Sequence, residues 1–490
     1  MQLKIKKVNL STGGPIVAIL NKEDTKKLDL FALDRIKIKV GKREIHALID
    51  VAKGKNSIKP GQIGFFEETF KILGKNKKGI AKISPSQAPK SIDAIKKKLD
   101  GKELTKKEIN YIIKDLMSNS LSDIEVTYFV SACYNNGLSN EEVTELTKAT
   151  IKEGKKVKLG NKIIADKHCI GGVPNNRTSM LITPIVAAAG LTIPKTSSRA
   201  ITSPSGTADT METLAKINFS VPKLKSILKK TKGCLIWHGS LDGAGADTRL
   251  IKVRYPLRLD PQGLLLASVL AKKMAVGATH LLVDLPIGKK AKLSTKKEAR
   301  NLKSKFQKIT KKLGIKTKVI ITNGSQPIGN GIGPNLEARD ILYILRRDPK
   351  APKDLEKKAI MMSDKIFKLT KTKASAKEIL NSGLAYKKMK EIIRAQGGNP
   401  RINPDKIPVG EFQYQYKASK KGKIIEIDNI IISKIARLAG ASQNKGAGIY
   451  INKKLKDKVK KGEKIFTIYA ENKNKLEFAK QEVKQAIKIK

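Results

Sequence analysis

The spacing of hydrophobic and polar residues changes along this chain, and each spacing predicts a different kind of element. Up to about residue 84, short runs such as "LKIKKVNL", "RIKIKV" and "REIHALIDV" alternate apolar and polar residues between Gly, Asn and Asp. Alternation with a period of two is typical of half-buried strands. We therefore predict a small β-rich, barrel-like segment that ends at a linker, "SPSQAP".

Helical spacing follows, and a mixed pattern comes after it. In "EINYIIKDLM" and "VTYFVSACY" the apolar residues recur every three or four positions, and Ser139 is a good helix cap for "NEEVTELTKATIKEG". From about residue 163 strands and helices alternate, and the strand-like runs "THLLVDLPIG" and "TKVIITNG" end in glycine-bearing turns. This alternation predicts an α/β sheet with ligand-binding loops at its carboxyl edge.

The composition is that of a globular protein with an unusual charge. The chain has 490 residues, 40% hydrophobic and 29% charged, and its longest apolar run, at 181–193, contains Pro184 and Gly190. That run predicts a buried helix rather than a membrane span. The amino terminus lacks a signal-peptide core. The three cysteines are far apart, which favours a reducing cytoplasm, and the four histidines show no metal-ligand spacing.

The net charge of +56 raises the question of nucleic-acid binding. The excess is mostly lysine spread over every segment, aromatic residues are only 4%, and no RNA-binding or zinc-finger motif occurs. We interpret the charge as lysine-coated solvated faces, with no specific nucleic acid expected. A nucleic-acid surface and attraction of anionic metabolites remain the alternatives.

The stretch "DKHCIGGVPNNRTSM" (166–180) carries the chemistry of an anion site. A strand is predicted to end near Ala165, and a helix to begin near Thr178. Between them, glycines allow backbone N–H groups to approach an anion, and the helix N-terminus adds partial positive charge. Lys167 supplies a full charge, and Thr178 and Ser179 supply hydroxyls. The stretch predicts a phosphate site without a Walker loop; an ordinary strand-to-helix turn is the alternative.

Two further stretches suggest a site for a larger ligand. "KTSSRAITSPSGTADT" (195–210) again lies between a strand and a helix, although an ordinary polar loop would look similar. It offers Arg199 and the hydroxyls of Ser197, Ser198, Thr202, Ser203, Ser205 and Thr207. In "VRYPLRLDPQGLLLASVLAKK", Ser268 and Lys272 are four residues apart and share a helix face. Simple packing of the serine and solvation of the lysine explain that pattern equally well. The two polar strand-to-helix turns, 166–180 and 195–210, together favour a ligand with two anionic centres, or an anion plus a sugar.

These stretches resemble the thymidine/pyrimidine-nucleoside phosphorylase family, and within it the archaeal AMP phosphorylase branch. "DKHCIGGV", "SSRAITSPSGTADTME" and "ASVLAKKMAVGATHLLVDLPIG" carry the resemblance, which extends over nearly the whole chain. It implies an α/β fold of nucleoside phosphorylase type, with a helical domain facing a larger mixed α/β domain and a small β-barrel-like domain at the N-terminus. Four domains are implied. The first is β-rich and covers 1–84, and the second is helical and combines 85–155 with 246–278. The third is an α/β domain that binds phosphate and nucleotide and combines 156–245 with 279–349, and the fourth is an α+β domain at 350–490.

The resemblance also implies a reaction: AMP and orthophosphate give adenine and ribose 1,5-bisphosphate, and CMP and UMP are further candidate substrates. The implied partners are a small-molecule nucleotide and orthophosphate, which is a co-substrate. The implied assembly is a homo-oligomer of at least two chains. No metal, cofactor or membrane contact is expected. A phosphorylase for unphosphorylated pyrimidine nucleosides is the near alternative. An RNA- or partner-binding protein is the alternative outside enzymes.

Site residues follow from the resemblance position by position. The orthophosphate-binding positions of the pyrimidine enzymes correspond to Lys167, Ser179, Ser197 and Thr207. The nucleotide contacts of the AMP branch correspond to Gly172, Ser198, Arg199, Ala200, Ile201, Thr202, Ser203, Thr207, Ser268 and Lys292. The base-binding trio of the pyrimidine enzymes corresponds to Arg254, Ser268 and Lys272.

The implied catalytic residues are Asp260 and His168. Asp260 occupies the position of the proposed proton donor to the departing base, so its pKa should be raised or it should take up a proton as the base leaves. His168 is either a residue near the base or a group that orients Asp166 or the turn. Cys169 stands where many relatives have serine, so one phosphate hydrogen bond is expected to weaken. If Lys167 and the helix end favoured the thiolate, the site would also be sensitive to oxidation.

Overall fold

The computed structural model describes residues 1–12, 16–53, 57–73, 79–154, 156–200, 203–239, 246–254, 256–257 and 259–490. The chain divides into two compact units, the first comprising Met1–Glu153 with Ala244–Ser268 and the second Gly154–Gly243 with Val269–Lys490. The four-part division inferred from the sequence stays a prediction.

The first unit begins with a closed barrel of six strands: β1 Gln2–Lys7, β2 Val17–Asn21, β3 Arg35–Val40, β4 Arg43–Ala52, β5 Gln62–Phe65 and β6 Ile80–Pro85. Around the barrel the strands follow the order β1-β5-β2-β4-β3-β6. Short helices lie at Lys22–Lys27 and Glu67–Leu73. Alternate residues, such as Ile36 and Ile38, are fully buried in the barrel core. The predicted barrel is confirmed, because a period-two pattern leaves one apolar face per strand and closure buries it.

Most of the other described residues of the first unit lie in helices. They run Ser91–Leu99, Lys106–Met117, Asp123–Asn136, Asn140–Glu153 and Ala246–Arg254, and the helix Gln262–Ala275 begins in this unit. Capping boxes at Thr105 and Ser122 satisfy the first backbone N–H groups of two of these helices. The predicted cap Ser139 accepts a hydrogen bond from the Glu142 amide at 3.2 Å. The predicted helical segment is confirmed.

The second unit contains a parallel sheet with strands in the order Lys316–Asn323, His280–Ile287 and Ala165–Cys169. A parallel pair, Ile193–Ser197 and Gly233–Trp237, forms a second small sheet. The accompanying helices are Thr178–Ala188, Thr207–Glu212, Val221–Thr231, Lys296–Lys312, Pro334–Leu345, Lys353–Thr370, Ala376–Asn381 and Leu384–Ala395. Helix Thr178–Ala188 is buried almost all round within the main core, as its apolar sequence predicts.

One boundary at the predicted anion site was wrong. The strand was expected to end near Ala165, but it begins there and continues to Cys169. Lys167 pairs in register with Leu282, and His168 with Val283, of the central strand. The charged residues "DKH" do not have the apolar pattern of a buried strand, so the sequence did not indicate one here. In a parallel sheet, burial of a strand depends on the neighbouring strand rather than on the polarity of the strand itself.

The carboxyl-terminal part forms two antiparallel sheets covered by helices. The first has strands in the order Gly331–Ile332, Gly448–Ile451, Lys464–Ala470 and Phe412–Lys417, and the second has Lys458–Val459, Gly422–Ile427 and Ile487–Ile489. Helices lie at Asn429–Leu438 and Lys473–Lys480, with short 3₁₀ turns at Pro404–Lys406 and Val483–Gln485. None of the helices in the described ranges is long and apolar enough to cross a bilayer.

Candidate active site

The turn between strand Ala165–Cys169 and helix Thr178–Ala188, residues 170–177, depends on two glycines with left-handed backbone. Gly171 and Gly172 have φ of 89° and 84°. A Cβ on Gly172 would lie 2.5 Å from the backbone nitrogen of Lys292, whereas one on Gly171 would meet nothing within 4 Å. Gly172 therefore lets the turn contact the segment that carries Lys292, and these two predicted site residues lie together.

The side chain of Lys167 extends from strand Ala165–Cys169 to Thr178, the first residue of helix Thr178–Ala188. Its side chain is almost fully buried, and Nζ donates a hydrogen bond to Thr178 Oγ1 at 2.6 Å. Burial lowers the pKa of Lys167; Cys169 and Asp284 oppose this, and the charges of Lys358 and Arg177 add to it. Ser179, the next predicted phosphate contact, is buried in the first turn of the same helix. The Lys167 ammonium, the Thr178 and Ser179 hydroxyls and the N-terminus of helix Thr178–Ala188 therefore lie together in the second unit.

The sulfur of Cys169 takes part in the turn as an acceptor. It receives hydrogen bonds from Asn176 Nδ2 at 3.1 Å and from the Gly171 amide at 3.5 Å. Burial raises the pKa of the Cys169 thiol, with Asp284 adding to the rise and Lys167 opposing it. The condition for oxidation sensitivity, a thiolate favoured by Lys167 and the helix end, is therefore not met, since the loss of hydration outweighs the attraction of Lys167 and Lys358.

Asp284 supports the turn from the central strand and was missed in the sequence. It is fully buried, and its carboxylate accepts hydrogen bonds from Thr322 Oγ1 at 2.6 Å and from Asn176 Nδ2 at 3.2 Å. Lys358 Nζ lies 2.9 Å away. Burial alone would raise the pKa of Asp284, but Lys358 and Lys167 outweigh it and the pKa is lowered. The available signal was "VDLPIG", an acidic residue inside an apolar strand.

A second missed carboxylate joins residues 170–177 to the polar loop 198–206. Glu337 is fully buried, and its Oε2 accepts hydrogen bonds from Arg177 Nε and Thr210 Oγ1, both at 2.6 Å. Arg177 also donates to the backbone oxygen of Ser205. Arg177 and Ser205 come from the two predicted ligand loops, so Glu337 sets the distance between them.

The loop 198–206 is held closed by Asp209. Its Oδ2 accepts the amides of Ala200 at 2.6 Å and Gly206 at 2.8 Å. A Cβ on Gly206 would lie 2.5 Å from the Ser198 carbonyl oxygen, so only glycine permits this closure. These contacts fix the two described ends of the loop, 198–200 and 203–206, against each other.

Arg199 is anchored beside that loop. It donates to Glu212 at 2.6 and 2.9 Å and to Asp209 at 3.2 Å, and its guanidinium lies 5.4 Å from the centre of the Trp237 ring. Arg199 lowers the pKa of Glu212 to about 2, with Lys445 contributing. The Arg199 side chain is 37% exposed, which leaves part of it accessible to an anion.

The remaining predicted residues of the second unit lie as follows. Ser197 ends its strand and donates to the Ile236 oxygen at 3.2 Å, Ser198 follows it, and Ser203 donates to the Ser205 oxygen at 2.9 Å. Thr207 opens the helix Thr207–Glu212. Lys272 is half-buried and Lys292 is exposed. Ile201 and Thr202 lie outside the described residues.

His168 lies among lysines, which limits what it can do. Its pKa is lowered well below the ordinary value by burial and by the charges of Lys273, Lys195, Lys272 and Lys167. The imidazole is therefore neutral at physiological pH and suited to a neutral hydrogen bond, rather than to donating a proton as an imidazolium. That pKa makes a role as general acid in the free protein unfavourable.

The predicted residues of the first unit include one ion pair. A guanidinium nitrogen of buried Arg254 lies 3.6 Å from Asp260 Oδ1, and Arg254 Nε donates to the Leu250 oxygen at 3.2 Å. Asp260 is 39% exposed. Ser268 is half-buried in helix Gln262–Ala275, one turn before Lys272, as their spacing predicts. The roles assigned to these residues stay predictions.

Comparison with known proteins assigns the chain to a family. Residues 92–154 match the helical bundle domain of a glycosyl transferase family, 161–386 match the a/b domain of that family, and 423–490 match the pyrimidine nucleoside phosphorylase C-terminal domain. The AMP phosphorylase of Pyrococcus horikoshii is 45% identical over 98% of this chain and 95% of its own length. The chain belongs to the thymidine/pyrimidine-nucleoside phosphorylase family.

One further relative and one solved structure are also similar to this chain. A protein of Rhodopseudomonas palustris named putative thymidine phosphorylase is 39% identical over 98% of this chain and 94% of its own length. The structure of anthranilate phosphoribosyltransferase from Thermus thermophilus covers 62% of this chain and 99% of its own with a TM-score of 0.52 and 17% identity, a likeness of fold alone. The family and the fold class inferred from the sequence are confirmed.

Proposed function

We propose that this member of the family is a nucleoside 5′-monophosphate phosphorylase that converts AMP and orthophosphate into adenine and ribose 1,5-bisphosphate. The observation that carries the proposal is similarity over nearly the full length, at 45% identity, to an AMP phosphorylase. The geometry supports it, because a buried lysine, two glycines in left-handed conformation and a helix N-terminus meet at residues 167–179.

In this proposal orthophosphate binds at that turn. Lys167 supplies charge, and the hydroxyls of Ser179, Ser197 and Thr207 supply donors. A phosphate oxygen attacks C1′ of the ribose as the bond from C1′ to the base nitrogen breaks, and the base takes both electrons of that bond. Fixing the dianion in line stabilises the positive charge that develops on the sugar.

The departing base needs a proton, and Asp260 is the proposed source. Arg254, 3.6 Å from Asp260, would attract the carboxylate that remains. Neutral His168, with Ser268 and Lys272, is proposed to contact the base. No cofactor or metal is needed in this scheme, because each step is a nucleophilic displacement or a proton transfer.

The 5′-phosphate separates this function from nucleoside phosphorolysis. We assign it to Arg199, the backbone of residues 198–203 and Lys292, which lies against Gly172. Binding energy from a remote phosphate contributes to catalysis at C1′, so adenosine should be a far poorer substrate than AMP.

The decisive experiment measures phosphate-dependent release of free base from AMP, CMP, UMP, adenosine and thymidine without added metal. Adenine from AMP with little from adenosine is the expected result. Lys292→Ala should reduce kcat/KM for AMP, and Lys296→Ala, which removes an exposed lysine close by in sequence, should not. Release of thymine from thymidine with none from AMP would replace the proposal with pyrimidine-nucleoside phosphorolysis.

The same assay ranks CMP and UMP against AMP. We further propose that the protein acts in the cytoplasm as a homo-oligomer of at least two chains, which size-exclusion chromatography with light scattering would test. A monomer with full activity would contradict the oligomer.

A further inference from the structure

Asp166, directly before Lys167, is a fully buried carboxylate in contact with two buried lysines from other parts of the chain. Its Oδ2 lies 2.9 Å from Lys273 Nζ, and its Oδ1 lies 3.9 Å from Lys195 Nζ. Oδ1 also accepts a hydrogen bond from the Lys167 amide at 2.6 Å. Lys273 is 1% exposed and Lys195 is 5% exposed.

The lysines belong to two elements that carry other predicted ligand contacts. Lys195 lies in strand Ile193–Ser197, whose last residue is a proposed phosphate contact. Lys273 lies in helix Gln262–Ala275 and directly follows Lys272, a proposed base contact. Strand Ala165–Cys169 carries Lys167 itself. One carboxylate thus connects three elements that each carry a proposed substrate contact.

Asp166 is the carboxylate that balances the positive charge of these buried lysines. Lys167, Lys195 and Lys273 are buried close together, and each would repel the others. Lys195 also donates to the Thr196 oxygen at 2.8 Å, which fixes its head group. Burial and Lys273 lower the pKa of Lys195 well below its ordinary value, and Asp166 opposes this. A buried ion pair adds little to stability over an apolar replacement, so its value here is in fixing geometry.

We propose that Asp166 is a positioning residue: its ion pairs with Lys273 and Lys195 hold the base-contacting helix and the hydroxyl-bearing strand at a set distance from Lys167. The inference rests on the proposed phosphorolysis. Its consequence is kinetic, because attack on C1′ requires phosphate and sugar within a short in-line distance. Loss of the Asp166 ion pairs therefore lowers kcat more than it raises KM for phosphate.

The test uses the full chain with Asp166→Asn, Lys273→Met, the double variant and Lys273→Arg. Each of the first two should lower kcat about 10- to 100-fold with a smaller change in KM. Lys273→Arg, which keeps the ion pair, should recover most of the activity. The double variant removes both charges of the shorter ion pair, so it should regain thermal stability relative to Asp166→Asn but not regain kcat.

Lys98→Met is the matched control. Lys98 forms an equally buried ion pair, 2.8 Å from Glu142, within the helical part of the first unit. It should lose stability to a similar degree and keep its kcat at a temperature where it is folded.

The outcomes separate the two proposals. A wild-type protein without phosphate-dependent base release refutes the proposed function itself, and the positioning role with it. With an active wild type, unchanged kcat in folded Asp166→Asn or Lys273→Met overturns only the positioning role. Recovery of kcat in the double variant along with stability would also overturn it. If Asp166→Asn does not fold, Lys273→Met, the double variant and Lys273→Arg decide the question.

Discussion

At the scale of single residues, this protein places charges where burial makes them costly. Lys167, Lys195, Lys273 and Lys358 are all buried near the strand Ala165–Cys169, where the buried carboxylates Asp166 and Asp284 form ion pairs with Lys195, Lys273 and Lys358. The pKa values of Lys167 and Lys195 are lowered as a result, with burial the largest cause. A bound dianion would relieve this repulsion.

Lys167→Met should therefore weaken orthophosphate binding by about 2 kcal/mol, a factor of about 30, as expected for loss of a charged hydrogen bond. Because a bound dianion raises the lowered pKa of Lys167 again, phosphate binding should take up protons. Phosphate affinity should then fall as the pH rises through the lowered pKa. Calorimetry in two buffers of different ionisation enthalpy, at a pH where phosphate is already dianionic, measures this uptake. Equal heats in both buffers for the wild type would rule it out.

A second residue-scale prediction concerns Asp340. Its Oδ2 accepts hydrogen bonds from Asn175 Nδ2 and the amides of Asn330 and Gly331, at 2.7, 2.7 and 2.8 Å. Burial raises its pKa to about 6 from 3.8. A raised carboxyl pKa gives stability that is complete below the unfolded value and is lost as pH rises through the folded value.

Asp340→Asn keeps an acceptor oxygen and removes the titration. Relative to the wild type, its free energy of unfolding should rise by up to about 3 kcal/mol between about pH 4 and pH 7. Urea unfolding at several pH values measures this difference. Asp405→Asn is the opposite control, since hydrogen bonds from Lys350 and Tyr343 lower the pKa of Asp405. A pH-independent difference between Asp340→Asn and the wild type would contradict the prediction.

At the scale of elements, the site depends on how loops meet rather than on the strands alone. The turn 170–177 contacts the segment with Lys292 through Gly172, and Glu337 joins that turn to the loop 198–206. Each contact links stretches that are distant in sequence. A change at one of them should therefore affect ligand binding without changing the sheet.

Gly171 and Gly172 offer a matched pair for testing this. Both have left-handed φ, so alanine strains each by about 1 kcal/mol, but only a Cβ on Gly172 would meet the Lys292 backbone. Gly172→Ala should lower kcat/KM for AMP at least about tenfold more than Gly171→Ala does. Steady-state kinetics on AMP measures the ratio. Equal effects of the two substitutions would mean that the contact with Lys292 has no role.

At the scale of the whole molecule, the net charge of +56 must affect encounters with polyanions. Lysine-rich surfaces bind nucleic acid through release of counterions, without reading the base sequence. The proposed site, by contrast, includes buried groups such as Lys167, Ser179 and Arg254. We therefore separate a general attraction for polyanions from specific binding at the proposed site residues.

Binding to homopolymer RNAs should be weak, alike for all bases, and reduced about 100-fold or more between about 50 and 200 mM salt. Fluorescence anisotropy with labelled poly(A) and poly(U) measures both properties. Tight binding to one sequence that persists at the higher salt would instead support an RNA-binding role.

Several features of this protein could be predicted from its sequence because they depend on local spacing. Period-two alternation predicted the barrel strands, and helical spacing with Ser139 as a cap predicted the helix Asn140–Glu153. The glycine pair and the apolar run after Thr178 predicted the strand-turn-helix. In each case the responsible residues are neighbours in the chain, so side-chain periodicity and backbone conformation suffice.

Only the tertiary structure decided the environment of the charged residues. It placed Lys167 and His168 inside a buried strand, and made Cys169 a protonated acceptor where a thiolate had been considered. The contacts of Asp166 with Lys195 and Lys273, and of Glu337 with Arg177, join residues 29 to 160 positions apart in the chain. Burial and pairing of this kind depend on which elements pack together, and desolvation then sets the charge state; neither is encoded in local spacing.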